Sequence, residues 1–210
     1  YWHGFVNSYD IAQGLCYLLL ETDASHAGER TERKGVSGYN IILRGPRTSM
    51  LLEAHCNGIQ RVTLSSCESE VVGAEKGTRA VMRLKMVMDK ILGYEAPNDD
   101  MSTFSHGIRT GLAMDAESAI KVIRNAGSQK VAHLRRSLGT SVYFLHESWC
   151  RATNTFLGHT RGTILGADMH TKSLNEVTHS YHRENLGITE DENMSAKRDL
   201  VLGPRLGAKQ

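Results

Sequence analysis

Residues 17–23 read Tyr17-Leu18-Leu19-Leu20-Glu21-Thr22-Asp23, an apolar run that closes on an acid. So short a run, without helical spacing, is best read as a buried strand. Working outward, Gly38 to Arg44 gives a second strand, Gly45-Pro46-Arg47 a turn, and Thr48 to Ala54 a third strand. Three strands joined this closely form an antiparallel meander. A long helix follows from about Glu68 to Leu92, with Ala74, Val81, Leu84, Met88 and Ile91 at helical spacing and Gly93 as its stop.

Beyond a polar connector, Thr110 to Met114 forms a fourth strand running into Asp115, and Glu117 to Arg124 a short helix. Val131, Leu134, Leu138, Val142 and Leu145 mark a further helix, Arg151 to Leu157 a fifth strand, and Ala167 to Leu174 a last short helix. This order requires an α/β fold with one five-stranded mixed sheet flanked by helices. We expect residues 1–16 to be a lead-in, 17–188 the domain, and 189–210 a polar, flexible tail. The first residue is Tyr1, which suggests a piece of a longer polypeptide.

Composition narrows the class without naming a function. The 210 residues are 40% hydrophobic and 23% charged, ordinary for a soluble globular domain. No apolar run approaches the length of a membrane span, so no membrane partner is expected. There is no signal-peptide pattern, so a secreted protein is not expected either. The formal charge is +2, so a nucleic-acid partner has to be inferred from local clusters. The four cysteines, Cys16, Cys56, Cys67 and Cys150, are scattered and read as reduced thiols of a cytoplasmic or nuclear protein. His179-x-x-His182 has no cysteine or acid beside it at metal-site spacing.

Four acids stand at element boundaries: Asp23 ends the first strand, Glu68 opens the long helix, Asp115 ends the fourth strand and Asp168 opens the last short helix. Acids placed this way converge at one edge of a sheet, and a carboxylate cluster holds together best around hard divalent cations such as Mg²⁺. Each has a plainer role as well. Ser65-x-x-Glu68 has the spacing of a capping box, Asp115 suits a helix cap, Asp168 a helix dipole, and Asp23 a strand end.

The residues around these acids settle the choice by resemblance. Thr22-Asp23-Ala24-Ser25-His26-Ala27-Gly28, then Arg33-Lys34-Gly35-Val36-Ser37-Gly38-Tyr39, resemble the opening motifs of the ribonuclease H domain of copia-type LTR retrotransposon polyproteins. Val62-Thr63-Leu64-Ser65-Ser66-Cys67-Glu68-Ser69-Glu70, Asp115-Ala116-Glu117-Ser118-Ala119 and Ala167-Asp168-Met169-His170-Thr171-Lys172 are similar to its later motifs, in the same order. The resemblance spans nearly the whole chain. It implies a ribonuclease H-like fold downstream of a reverse transcriptase on the same polyprotein, in a cytoplasmic virus-like particle or the nucleus.

It also implies an endonuclease that cuts the RNA strand of an RNA/DNA hybrid with two Mg²⁺ ions, or Mn²⁺ in their place. Asp23 would bridge the ions, Glu68 and Asp115 would hold the one near the leaving group, and Asp168 would complete the other. Glu70 is then a neighbour, and the second choice should the helix phase differ. His159, nine positions before Asp168 in a Gly158-His159-Thr160-Arg161-Gly162 loop, matches a histidine that assists product release in some ribonucleases H.

Basic residues for hybrid phosphates cluster at Arg30, Arg33 and Lys34, and at Lys121, Arg124 and Lys130. Ser25, Ser66 and Ser118 beside the acids are candidate contacts to the 2′-hydroxyls that distinguish RNA from DNA. The chain also departs from the family: His26 and Val71 replace aromatic residues, Ala116 replaces an asparagine, and aromatics make up only 6%. These departures leave an alternative, a catalytically silent binding or structural module of a decayed retroelement polyprotein. A strand-transfer enzyme of the integrase type fits the motif order less well.

Overall fold

A computed structural model describes residues 4–26, 35–60, 62–94, 104–127 and 141–188. The proposed tail at 189–210, the basic residues Arg30, Arg33, Lys34 and Lys130, and the helix start around Val131 lie outside these residues.

The meander is present: β1 (Tyr17–Ser25), β2 (Val36–Arg44) and β3 (Ser49–Gly58) pair antiparallel in sequence order. Gly45 and Thr48 close the β2–β3 hairpin with hydrogen bonds in both directions. β4 (Arg109–Met114) pairs parallel with β1, and β5 (Thr155–His159) parallel with β4, giving the order β3-β2-β1-β4-β5. This is the expected five-stranded mixed sheet, with β1 at its centre.

Both faces of β1 are covered, which is why its sequence reads as a continuous apolar run. One face, with Leu18, Leu20, Ile41, Leu112 and Met114, packs against α2 (Ser66–Ile91), α3 (Glu117–Arg124) and α4 (Val142–His146) through Val71, Ala74, Val81, Ile120 and Leu145. Gly77 lets α2 lie close: a Cβ there would stand 2.9 Å from Leu20 Cδ1. The other face, with Leu19, Ile42 and Ala113, is covered by Leu165 and Ala167 of a chain turn and by Leu186 after α5 (Glu176–Asn185).

The ends of elements differ from the sequence expectation. The apolar stripe of α2 stops short, so that Ile91 is 69% exposed while Lys85 is fully buried. The Lys85 ammonium is satisfied by Asp89 and the His106 carbonyl, and Asp89 also accepts from Ile108 N–H, tying the helix to the start of β4. β5 begins later than expected because residues 147–151 extend α4 as a wider π-helical turn. The last short helix is a tight 3₁₀ turn, Gly166–His170.

The lead-in is structured where it is described. A short helix, α1 (Ser8–Ala12), is capped by Asn7, and its buried Asp10 accepts from Arg47 N–H and the Thr48 hydroxyl. Phe5 bridges to Ser49 at the edge of the sheet.

Candidate metal centre

Three elements deliver the acids to one end of the sheet. In the parallel β1–β4 pair Glu21 lies opposite Ala113, so two residues further on Asp23 and Asp115 stand side by side at the strand ends. Asp23 is 1% exposed, and it shares the Leu19–Glu21 face of β1, toward the 3₁₀ turn that carries Asp168. α2 then brings a glutamate over the same end, and that glutamate is Glu70. Asp23, Glu70 and Asp115 each offer an oxygen, and these oxygens lie within 4.8 Å of one another.

Glu68 had been expected there, and the structure turns it elsewhere. Ser65 caps α2 by accepting from Glu68 N–H, and the Glu68 carboxylate bends back to accept from Leu64 N–H at 2.7 Å. This is close to the capping box that the Ser65-x-x-Glu68 spacing allowed, with the carboxylate reaching Leu64 N–H, one residue before the cap. At 3.6 residues per turn, Glu70 points about 200° away from Glu68, toward Asp23.

Asp168 joins the group through Lys172, whose Nζ lies 2.9 Å from Asp168 Oδ1 and 3.2 Å from both Asp23 Oδ1 and Asp115 Oδ2. Thr171 donates from Oγ1 to Asp23 Oδ2. Gly162 closes the site from the loop after β5: a Cβ there would come within 3.0 Å of Asp115 Oδ2 and 3.1 Å of Asp168 Oδ2. The motif containing Thr171 and Lys172 was recognisable in the sequence, but nothing in it gave either residue a role.

The electrostatics are those of crowded acids. Burial, reinforced by the charges of Asp23 and Asp115, pushes the Glu70 carboxyl up to about 9. Burial likewise lifts Asp168 to about 6, against the pull of its hydrogen bond with Lys172. Burial alone would depress the Lys172 ammonium, but the Asp168 hydrogen bond and the charges of Asp23, Asp168 and Asp115 raise it. Glu70 Oε2 is buried and makes no hydrogen bond, and the buried Asp23 Oδ1 has the Lys172 ammonium 3.2 Å away. An all-carboxylate donor set, with one buried oxygen lacking a hydrogen bond and another already facing a cationic group, fits a hard divalent cation.

The remaining candidates lie around this cluster. Ser66 and Ser118 are exposed in the first turns of α2 and α3, and Ser118 hydrogen-bonds with the Cys67 thiol. Ser25 ends β1, where its hydroxyl accepts from Val36 N–H. His159 is the last residue of β5 rather than a loop residue, exposed and paired in register with Met114. Lys121 pairs with Glu117, and Arg124 donates to the Leu157 carbonyl.

No protein-family model matches the chain, and no curated protein matches it. Among solved structures it is similar to the N-terminal RNase H domain of Rv2228c from Mycobacterium tuberculosis, solved as a fusion with maltose-binding protein. The identity is 13% and the TM-score 0.45, over 74% of this chain and 90% of that one. The chain's own topology, an antiparallel meander extended by two parallel strands with helices on the sheet, is a ribonuclease H-like fold.

Proposed function

We propose that this chain is a metal-dependent endonuclease that hydrolyses the RNA strand of RNA/DNA hybrids, acting during reverse transcription of a copia-type retrotransposon. The observation that carries the catalytic part is the convergence of Asp23, Glu70 and Asp115, with a buried oxygen of Glu70 left without a hydrogen bond. The retrotransposon setting, with a reverse transcriptase region on the same polyprotein, rests on the ordered motifs in the sequence.

In this reading Asp23, Glu70 and Asp115 would hold one Mg²⁺ or Mn²⁺, and Asp168 with Asp23 would serve a second. Bound divalent cations supply an activated water and stabilise charge on the leaving 3′ oxygen. The chain's own contribution is to fix the acids. β1 and β4 set the spacing of Asp23 and Asp115, and the α2 N-terminus sets Glu70. Thr171 holds one oxygen of Asp23 and so orients the other. Ser66 and Ser118, exposed on the first turns of neighbouring helices, would meet the 2′-hydroxyls of a ribonucleotide strand in this reading.

The test is to incubate the full chain with labelled hybrid, duplex RNA and duplex DNA, in Mg²⁺ or in chelator. The expected outcome is cleavage of the hybrid's RNA strand alone, dependent on the cation and lost in Asp115→Asn. Cation binding without cleavage of any substrate would instead indicate the silent module.

A further inference from the structure

Lys172 lies where a cation would. Its Nζ is held by three carboxylates at 2.9–3.2 Å, on the Asp168 side of the cluster. Glu70 is not among its close partners and feels it only as a longer-range attraction. The base of the side chain is fixed, because Thr171 N–H and Lys172 N–H both donate to the Asp168 carbonyl. One residue earlier, His170 hydrogen-bonds through Nε2 to Asn40 Oδ1 at 2.7 Å. The head is not fixed in the same way. The side chain is 39% exposed, so the strongly hydrated ammonium on its flexible four-carbon stem has an open path into water once a cation takes over its carboxylates.

Asp23 and Asp168 are the pair to which the metal-centre reading assigns a second divalent ion. Such an ion needs their oxygens at roughly 2.0–2.1 Å if it is Mg²⁺, and cannot share them with an ammonium in van der Waals contact. The position beside Glu70, Asp23 and Asp115 is obstructed less: Lys172 touches two of its three acids, and Glu70 stays out of its close reach.

We propose, resting on that reading, that Lys172 is a built-in competitor that bears hardest on one of two cation positions, the one whose acids it covers completely, and so makes ion binding sequential. The first ion is held by Asp23, Glu70 and Asp115. The second reaches Asp23 and Asp168 only as the Lys172 ammonium leaves. Competition for shared ligands is a coupling free energy between two binding events, and such couplings commonly span about 5- to 150-fold in affinity.

The experiment is a calorimetric Mn²⁺ titration of the full chain and of Lys172→Met, which keeps the stem and removes the charge. The parent should show two sites of unequal affinity. In Lys172→Met the weaker site should tighten by about tenfold, within the usual range of such coupling, while the tighter one, which keeps Glu70 outside the reach of Lys172, tightens by less. A weaker site that does not move, or two equal sites in the parent, would overturn the proposal. If neither protein binds Mn²⁺, the metal-centre reading falls and this inference with it.

A second measurement needs no variant. Amine acylation of the parent, mapped by mass spectrometry along the Mn²⁺ titration, should show Lys172 becoming more reactive over the range that fills the weaker site. Lys121, exposed on α3, serves as the constant reference. Lys172 labelling that stays flat or falls as that site fills would refute the displacement even if Lys172→Met failed to fold.

Discussion

His170 packs its Cβ directly over Gly38, so closely that a methyl group on Gly38 would stand 2.5 Å from it. Gly38 is the β2 partner of Asp23, and this contact seats the Asp168–Lys172 turn on the central acid. Gly38→Ala must lift that turn or distort the strand, and overpacking of this kind costs about 1–3 kcal/mol. Thermal unfolding should move down by several degrees, with weaker Mn²⁺ binding. A variant that melts with the parent would show that the turn has room to give.

Gly162 tests the other wall of the site. A side chain there would enter between Asp115 Oδ2 and Asp168 Oδ2, the two oxygens nearest its absent Cβ. Gly162→Val should weaken divalent-ion binding severalfold while leaving the melting temperature in chelator close to that of the parent, since the residue lies in a surface loop. Equal Mn²⁺ affinity in the two proteins would place the ions away from this loop.

Glu68 and Glu70 separate cleanly. Glu70→Gln removes a proposed ligand at constant shape and should lower hybrid cleavage by at least about 100-fold, given that even outer-shell changes at metal sites cost 10- to 100-fold. Glu68→Ala removes a helix cap and should cost about 1 kcal/mol of stability while cleavage stays near the parent rate. Reversed phenotypes, read by gel assay and chemical denaturation, would restore Glu68 to the site.

Much of the centre is legible from residue order because strands place their ends predictably. Asp23 and Asp115 each close an apolar strand, and a parallel pair leaves little freedom in where such residues meet. Helix phase was the weak link. Two glutamates two residues apart face nearly opposite ways, and the choice between them depends on which carboxylate bends back to the chain entering the helix, here Glu68 to Leu64 N–H. Lys85 was hidden for a related reason: a buried ammonium is set by its polar partners, Asp89 one helical turn on and the His106 carbonyl beyond the helix, which apolar periodicity does not register. The Thr171 and Lys172 contacts depend on a close glycine approach 130 or more residues away in the chain, which no local pattern encodes.

Glu70 makes the fold's own stability depend on pH in a direction the cation should reverse. Its carboxyl is pushed from the ordinary 4.5 up to about 9 by burial and by the charges of Asp23 and Asp115. With chelator present, folded and unfolded chains are both protonated at this group below pH 4.5. Between pH 4.5 and about 9 only the unfolded chain has ionised, so the folded state binds more protons and stability falls as pH rises. The cleanest interval is pH 7 to 9, above the range in which His170 and His182, whose pKa values burial lowers, change charge. There the melting temperature in chelator should decline with pH, and Glu70→Gln should flatten that decline. A divalent cation takes the proton's place, so the rise in melting temperature on adding Mg²⁺ should be larger at pH 9 than at pH 7. A parent and a Glu70→Gln variant with the same slope in chelator would mean that Glu70 is already ionised in the folded chain, stabilised by a cation other than the added metal.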